Sequence, residues 1–593
     1  MISSKSINII IALAMVLALA VSAVLVAGGH SRRDSGGTGT EPEYATKLFG
    51  TDIISIEIIA DEQDWRNMLD NAIKEEFVMA DVIVNGTKFR GVGVRPKGNS
   101  SLSQVARSDS DRYSFRLQFD EYIKGQTCFG LDSFVINNML SDNTYMKEYV
   151  SYELMREIGV DAPYFGFADI KINGADWGLY LAVESYRDSY EMRTFGTTAG
   201  MMYNVKSMDM EGDEAGGANG GGAFPGGMQR PGGMQRPNDG ESSASPRGDA
   251  QWPGGMQRPG DGESFVPPQG GMQRPGGNFG SAFGGRGGAD LAYTSDDSSA
   301  YGAIFGNVVG KGSEKDFQRV IRALKALSEG KDLETYFDVD QILRYFAAHT
   351  IVVNLDSYSS QMAQNYYLYE WNGKVTVLPW DYNLAWGGFQ NGSASNVINF
   401  PIDTPVSGVT MSSRPLLAQL FANEEYLQKY HDYLQELMTD YFADGKWAEK
   451  IDSLDRIISD YVENDATAFC SFDAYQAAVE AFKKLGDLRY QSIQGQIDGT
   501  IPSTTEGQTA APEKLISGDD LNLATLGSMM GGGGRRPSGE DGRFPGGDDA
   551  TVPRPTEAVP RPTEAVPRPT EAVPRPTGAV PLPSGTWPKG QQM

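Results

Sequence analysis

"NYYLYEWNGKVTVLPWDYNLAWGG", residues 365–388, carries a hairpin and, directly after it, an acid. Tyr366–Tyr369 and Val375–Leu378 are aromatic and β-branched runs of the kind that suit a pleated, half-buried surface. Asn372-Gly373 between them supplies the positive φ that a tight hairpin turn needs. Pro379 ends the second run, so Asp381 stands at the mouth of an apolar strand with Asn383 two residues on. A carboxylate there is either a turn cap or a group held for a metal or a proton. The flanking Trp380 and Trp386 read as packing that shields and orients it.

The same turn chemistry occurs twice upstream. "ADVIVNGTKFRGVGVR", 80–95, turns at Asn85-Gly86, and "ADIKINGADWGLYLAVES", 168–185, turns at Asn173-Gly174. Between them, "SDNTYMKEYVSYELMREIGV", 141–160, has polar capping candidates at Ser141–Asn143. Met146, Tyr149, Val150, Leu154 and Ile158 then recur at helical spacing, and Gly159 is a stop. From about 313 onward, helical patterns surround the third hairpin. The expected fold class is α+β, with antiparallel hairpins in the N-terminal half and a mainly helical C-terminal half.

The 593 residues are not uniformly foldable, because 71 glycines and 31 prolines gather in a few stretches. Lys5 precedes an uncharged, apolar run from Ile9 to Ala27, which reads as an export signal, cleaved or kept as an N-terminal anchor through residues 9–27. The bulk of the chain is then extracytoplasmic, secreted or held at the cell membrane. Expected boundaries are a leader to 28, a linker over 29–48 and a folded domain over 49–499. "GGMQRPGG"-type units at 211–290 predict a disordered insertion within that domain, since few large side chains are available to offset ordering entropy. Residues 500–593 read as a Gly- and Pro-rich tail ending in "VPRPTEA" repeats from Val552, a spacer of polyproline II character.

Net charge is −26, which argues against nucleic acid as a partner, because phosphate backbones need a basic footprint. The two cysteines, Cys128 and Cys470, leave one disulfide open as a question. There is no CxxC, HExxH or GxSxG, so neither a His/Cys zinc site nor serine-hydrolase chemistry fits. His349 falls within a helical apolar pattern and reads as a packed histidine.

Three clusters bear chemistry. "GVGVRPKGNSSLSQ", 91–104, with "DRYSFRLQFD", 111–120, places Arg95, Lys97, Arg112 and Arg116 on or beside strands near a small polar loop. Basic residues by a glycine turn can hold phosphate oxygens, although they are also common on solvated faces. "NLDSYSSQMAQNYYLY", 354–369, puts Asp356 just past an apolar helix, and Asp381 follows the strand paired with 366–370. Acids plus amides on neighbouring loop ends make a hard oxygen site that suits Mg2+ completed by water and phosphate. One acid to position a hydroxyl, another to hold the metal and cations for phosphate are the parts that phosphoryl transfer requires.

The segments "VRPKGNSS…DRYSFRLQFD", "GLYLAVES", "DSY…NYYLY" and "LPWDYNLAWG", in this order across roughly residues 50–480, resemble the CotH family, named after a spore-coat protein. The resemblance implies an atypical protein-kinase-like fold and an exported kinase that uses ATP and Mg2+ (or Mn2+) on Ser or Thr of surface or coat proteins. By resemblance, Asp356 is the catalytic aspartate, and Asp381 is a metal ligand in a motif whose second acid is here Asn383. Asn365 is a further metal candidate. Arg95, Lys97 and Arg116 fall on the basic segment expected to meet nucleotide phosphates. Glu184 is expected to form an ion pair with one of these or with Lys206, and "GESSASPRG", 240–248, is a candidate autophosphorylation segment. The rival expectation is a non-catalytic adhesion or scaffold protein built on the same body.

Overall fold

The computed structural model describes residues 41–206, 287–390, 392–527 and 529. Seven strands close into a barrel: β1 (Ile53–Ala60), β2 (Val78–Val84), β3 (Thr87–Lys97), β4 (Ser114–Gln118), β5 (Ser133–Asn137), β6 (Phe165–Ile172) and β7 (Ala175–Glu184), in the order β1-β2-β3-β4-β5-β7-β6. Every neighbour is antiparallel except the closing β1–β6 pair, which runs parallel from Ile53↔Phe167 to Ile58↔Ile172. Alternation decides what faces inward. Ile54, Ile56 and Ile58 of β1 meet Val82, Val94, Phe115, Leu117, Phe134 and Ile170 in the barrel core, and closure leaves no open edge. Asn85 and its glycine both take positive φ at the β2–β3 turn. The Asn85 side chain also accepts from the Ser55 N–H and donates to the Lys47 carbonyl, tying the turn to the barrel's first strand.

The rest of the body is a helical layer around a small sheet. Helix α1 (Lys147–Glu157) follows β5. Strand β8 (Met201–Val205) pairs with β9 (Val308–Val309) and β10 (Tyr366–Trp371), and β10 pairs with β11 (Lys374–Pro379), giving the order β11-β10-β8-β9. Helices α2 (Glu314–Glu329) and α3 (Val339–Val352) pack on β11, α4 (Glu424–Leu437) packs on α3, and α5 (Lys446–Glu463) and α6 (Phe472–Ile497) pack on each other. All three Asn-Gly hairpins form as read. Helix α1 starts where Asp142 accepts from the Thr144 and Lys147 N–H groups and stops before Gly159 at φ +82°.

Several expectations change. Folded structure begins before residue 49: Tyr44, in the helix Glu43–Lys47, is buried and donates its hydroxyl to Glu184. It also continues past 499, with Leu521, Leu523 and Leu526 buried against the body. Ala289 and Leu291 are core residues, so the end expected for the insertion is already folded. Cys128 and Cys470 are both free thiols. The leader, the repeats of the insertion, residues 240–248 and the VPRPTEA repeats lie outside the described residues. Among the described residues no helix is long and apolar enough to cross a membrane.

One buried ion pair joins the barrel to the helical layer. Arg112, before β4, and Asp465, after α5, are both fully excluded from solvent and meet at 2.8 Å. The same guanidinium donates to the carbonyls of Asn138 and Leu179, and Asp465 accepts from the Leu179 N–H. Removing one partner strands the other charge in the interior. Arg112→Leu is therefore expected to lower unfolding free energy by about 3–5 kcal/mol. Arg112→Leu/Asp465→Leu should recover part of that loss in a denaturant titration; an equal or larger loss in the double variant contradicts this account.

Candidate active site

A cleft opens between the outer face of β3–β5 and the loops that follow α3 and β11. Its lining includes Lys97, Ser114, Asn137, Asp142, Glu148, Asp356, Asp381, Asn383 and Met529. Lys97 ends β3 opposite Ser114 in the strand register, and Asn137 ends β5 beside them. The Lys97 ammonium donates to Asn137 Oδ1 at 3.0 Å, and the Asn137 amide donates to Glu148 at 2.8 Å. The lysine is thereby tied through one amide to the first turn of α1. Lys97 also lies over the Trp380 ring at 5.8 Å.

Asp381 sits two residues past β11 with φ +63°. Its N–H donates to the Tyr152 hydroxyl of α1, and its carbonyl accepts from Asn354 at 3.3 Å. Asp356 follows α3. Its backbone N–H donates to Asn354 Oδ1, while Gln364 and Asn365 donate to its two carboxylate oxygens at 3.0 and 2.9 Å. Burial first, and the nearby Asp381 charge second, push both Asp356 and Glu148 up to about 7. These three carboxyl groups share one cleft, and among the described residues Lys97 is the sole cation lining it.

The backbone that presents these acids is held from behind. Arg489 of α6 is fully buried and donates to the carbonyls of Thr350, Ile351, Ile398 and Phe400, which fixes the C-terminal end of α3. Val353 then takes φ +49°, uncommon for a β-branched residue, and turns the chain toward Asp356. Trp386 donates its backbone N–H to Val352 and its indole N–H to Ser151, and it stacks on Trp447. His349 bridges the Tyr382 hydroxyl at 2.8 Å and the Ser359 hydroxyl at 3.0 Å, between the two acid-bearing loops.

The residues singled out from sequence divide into two groups. Lys97, Asp356, Asp381 and Asn383 line the cleft together, and Asn365 acts through its side chain on Asp356. Arg95, Arg116, Glu184 and Lys206 are not among the lining residues. Arg95 lies opposite Arg116 in register, two residues along from Lys97, and is ion-paired with Glu75 against the Phe77 ring. The basic partner of Glu184 is none of the four expected. It is Arg193 at 2.8 Å, and the Glu184 carboxylate is completed by the Tyr44 hydroxyl and the Tyr164 N–H. Lys206 follows β8, where its N–H donates to the Ala303 carbonyl.

Glu148 was missed by sequence reading because its helix was read only for its apolar positions. The signal was present: Glu148, Tyr152 and Met155 recur at helical spacing, and all three are buried. An acid in phase with a core stripe needs a partner, which Asn137 and Lys97 provide. The polar groups lining the cleft are carboxylates, amides, hydroxyls and one amine, with no His or Cys, and their oxygens suit a hard cation. Among the described residues no three His, Cys, Asp or Glu side chains form a closed metal cage.

The family model described as CotH kinase protein matches residues 94–241 and 283–493, a span that contains every cleft residue named above except Met529. No curated protein matches the chain.

Burial lowers the His349 pKa from 6.5 to about 3. The unfolded chain takes up this proton near pH 6.5, whereas the folded chain takes it up only near 3. Its contribution to stability is complete above pH 6.5 and is lost as pH falls between those values, at about 1.4 kcal/mol per unit. Denaturant midpoints measured from pH 7 to 4.5 should fall less steeply in His349→Gln than in the wild type. Identical slopes would rule out a buried neutral imidazole.

Proposed function

This chain belongs to the CotH kinase family, and we infer that it is an exported kinase that transfers the γ-phosphoryl group of ATP to a Ser or Thr hydroxyl of a surface or coat protein. The observation that carries this reading is the meeting of Asp356, Asp381 and Asn383 with the Lys97–Asn137–Glu148 chain in one cleft. Export is supported by the apolar run Ile9–Ala27 alone.

Each residue has a defined task in this reading. Gln364 and Asn365 hold the Asp356 carboxylate in one orientation, and a pKa near 7 suits a group that takes a hydroxyl proton at neutral pH. Lys97 offers its ammonium to phosphate oxygens, with Asn137 and Glu148 fixing where it points. Asp381 and Asn383 would hold Mg2+, which when bound neutralises phosphate charge. The amide at Asn383 gives that ion one negative charge fewer than a second acid would. This amide, together with the long low-complexity segments of the sequence, favours the rival reading, a body that binds without transferring.

The test is transfer from labelled ATP to an added Ser/Thr-rich acceptor protein, with Mg2+ or Mn2+. The wild type should label the acceptor, and Asp356→Asn should slow transfer roughly 100-fold or more. Asp381→Asn should abolish the metal dependence along with most activity. Asn383→Asp should lower the Mg2+ concentration needed for half-maximal rate. ATP binding without transfer by the wild type, with either metal, would leave the binding reading standing.

A further inference from the structure

We infer that Lys147 and a strap formed by residues 516–527 and 529 are positioning groups for the transfer reaction. The strap staples the helix that carries Glu148 to the loop that begins with Asp381, and so sets how the two sides of the cleft meet a metal-bound nucleotide; the inference rests on the kinase reading above. After α6 the chain stays on the body: the Ile516 N–H donates to Asn399, and the Gly518 N–H donates to Ser395. Leu521, Leu523 and Leu526 are buried, and the helical turn Leu523–Leu526 packs on α6. The strap then crosses the loop between β5 and α1. The carbonyls of Thr525 and Leu526 accept from the Asn143 side chain and backbone at 3.0 and 3.1 Å. The carbonyl of Gly527 accepts from the Lys147 ammonium at 3.0 Å, and the Met529 N–H donates to the Gly388 carbonyl at 3.3 Å. Met529 thereby joins the lining of the cleft.

The junction is specified from both sides. Lys147 is wholly buried, and its ammonium donates to the carbonyls of Ser141 at 3.2 Å and Gly527 at 3.0 Å. The neighbouring Asp142 carboxylate is engaged by the Thr144 hydroxyl and by the N–H groups of Thr144 and Lys147. A buried ammonium is costly unless it is paired, so loss of the strap would strand it. Gly527 has φ +83°, and a Cβ there would lie 2.6 Å from the Ser141 carbonyl oxygen and 3.0 Å from the Asn143 nitrogen. Only glycine fits this crossing. A segment that merely covered the apolar side of α6 would need neither a buried lysine nor a glycine at this point.

What the junction holds is the geometry of the cleft. Lys147 opens α1, and the next residue, Glu148, fixes Lys97 through Asn137. The middle of the same helix meets the loop after β11, where the Tyr152 hydroxyl accepts the Asp381 N–H and Ser151 accepts the Trp386 indole N–H, both at 3.1 Å. Those bonds alone leave α1 a point about which to pivot. The strap ties its first residue to Gly388, farther along that loop, so the helix is held at its start as well as its middle. A pivot would move Glu148, and Lys97 with it, relative to Asp381. Groups of this kind, one shell behind the ligands, orient those that meet a metal or a phosphate.

Two variants of the full chain break the junction from opposite sides. Lys147→Met removes the buried charge at similar side-chain length, and Gly527→Ala drives a Cβ toward the Ser141 carbonyl. Without nucleotide or metal, amide hydrogen exchange should speed up in the first turn of α1 and in residues 381–388 together, in Lys147→Met as in Gly527→Ala. In transfer to an added Ser/Thr-rich acceptor protein, the Mg2+ concentration for half-maximal rate should rise about 10-fold or more in each variant, and no further in the double variant. Val82→Ala, in the barrel core and outside the cleft lining, should lower the amount of folded protein and leave that concentration unchanged. If Gly527→Ala does not fold, Asn143→Ala, which frees the Thr525 carbonyl, takes its place. Unchanged exchange in residues 381–388, or a half-maximal Mg2+ concentration equal to that of the wild type, overturns this inference and leaves the kinase reading intact. Additive effects in the double variant overturn a shared junction. A wild type that transfers no phosphate overturns the kinase reading and this inference with it.

Discussion

Asp356, Asp381 and Glu148 share one poorly hydrated cleft, and like charges there repel unless one is protonated or a cation joins them. Much of the surrounding structure serves to keep them together. Lys97 reaches Glu148 through Asn137, and Tyr152 anchors the Asp381 backbone to the same helix that carries Glu148. A site that holds excess negative charge under these conditions is organised to receive positive charge. Its carboxylates and amides are hard oxygen donors, the set that suits a divalent cation.

The cleft is held from outside by charges that never meet water. Arg112 ties the barrel to the helical layer through Asp465 and also binds the carbonyl of Asn138 in the cleft wall. Arg489 gathers two carbonyls at the end of α3 and those of Ile398 and Phe400, and Lys147 gathers the carbonyls of Ser141 and Gly527. Each cation fixes irregular backbone whose polar groups would otherwise be buried unmet. Left-handed backbone accompanies them at Met139, Ser141, Val353, Asn365 and Asp381, all in the loops that build the site. Strain of this kind persists where neighbouring contacts over-determine the chain.

Much of the fold was legible because its signals are local. An Asn-Gly pair between alternating runs needs no distant partner to declare a hairpin, and all three formed. Asp356 and Asp381 were legible for a related reason: the hairpin between them brings the two loop ends close through the β10–β11 pairing alone. Glu184 shows the limit. It ends a strand as expected, but its partners were decided by packing, which brings Arg193 and Tyr44 to it from two separate helices. Arg95 and Arg116 lie outside the cleft lining for the same reason, since a shared face of a sheet does not place every residue in the same row.

The amino-acid sequence by itself determined the three hairpins, the helical second half and the two acids at loop ends. Tertiary structure alone decided that Lys97 answers to Glu148 on α1, that the barrel closes through a parallel β1–β6 pair, and that Met529 lines the cleft. The physical reason is range. Turn and periodicity signals act over a few residues, whereas a buried charge takes whichever partner the packed chain brings within hydrogen-bonding distance, however far away in sequence that partner lies.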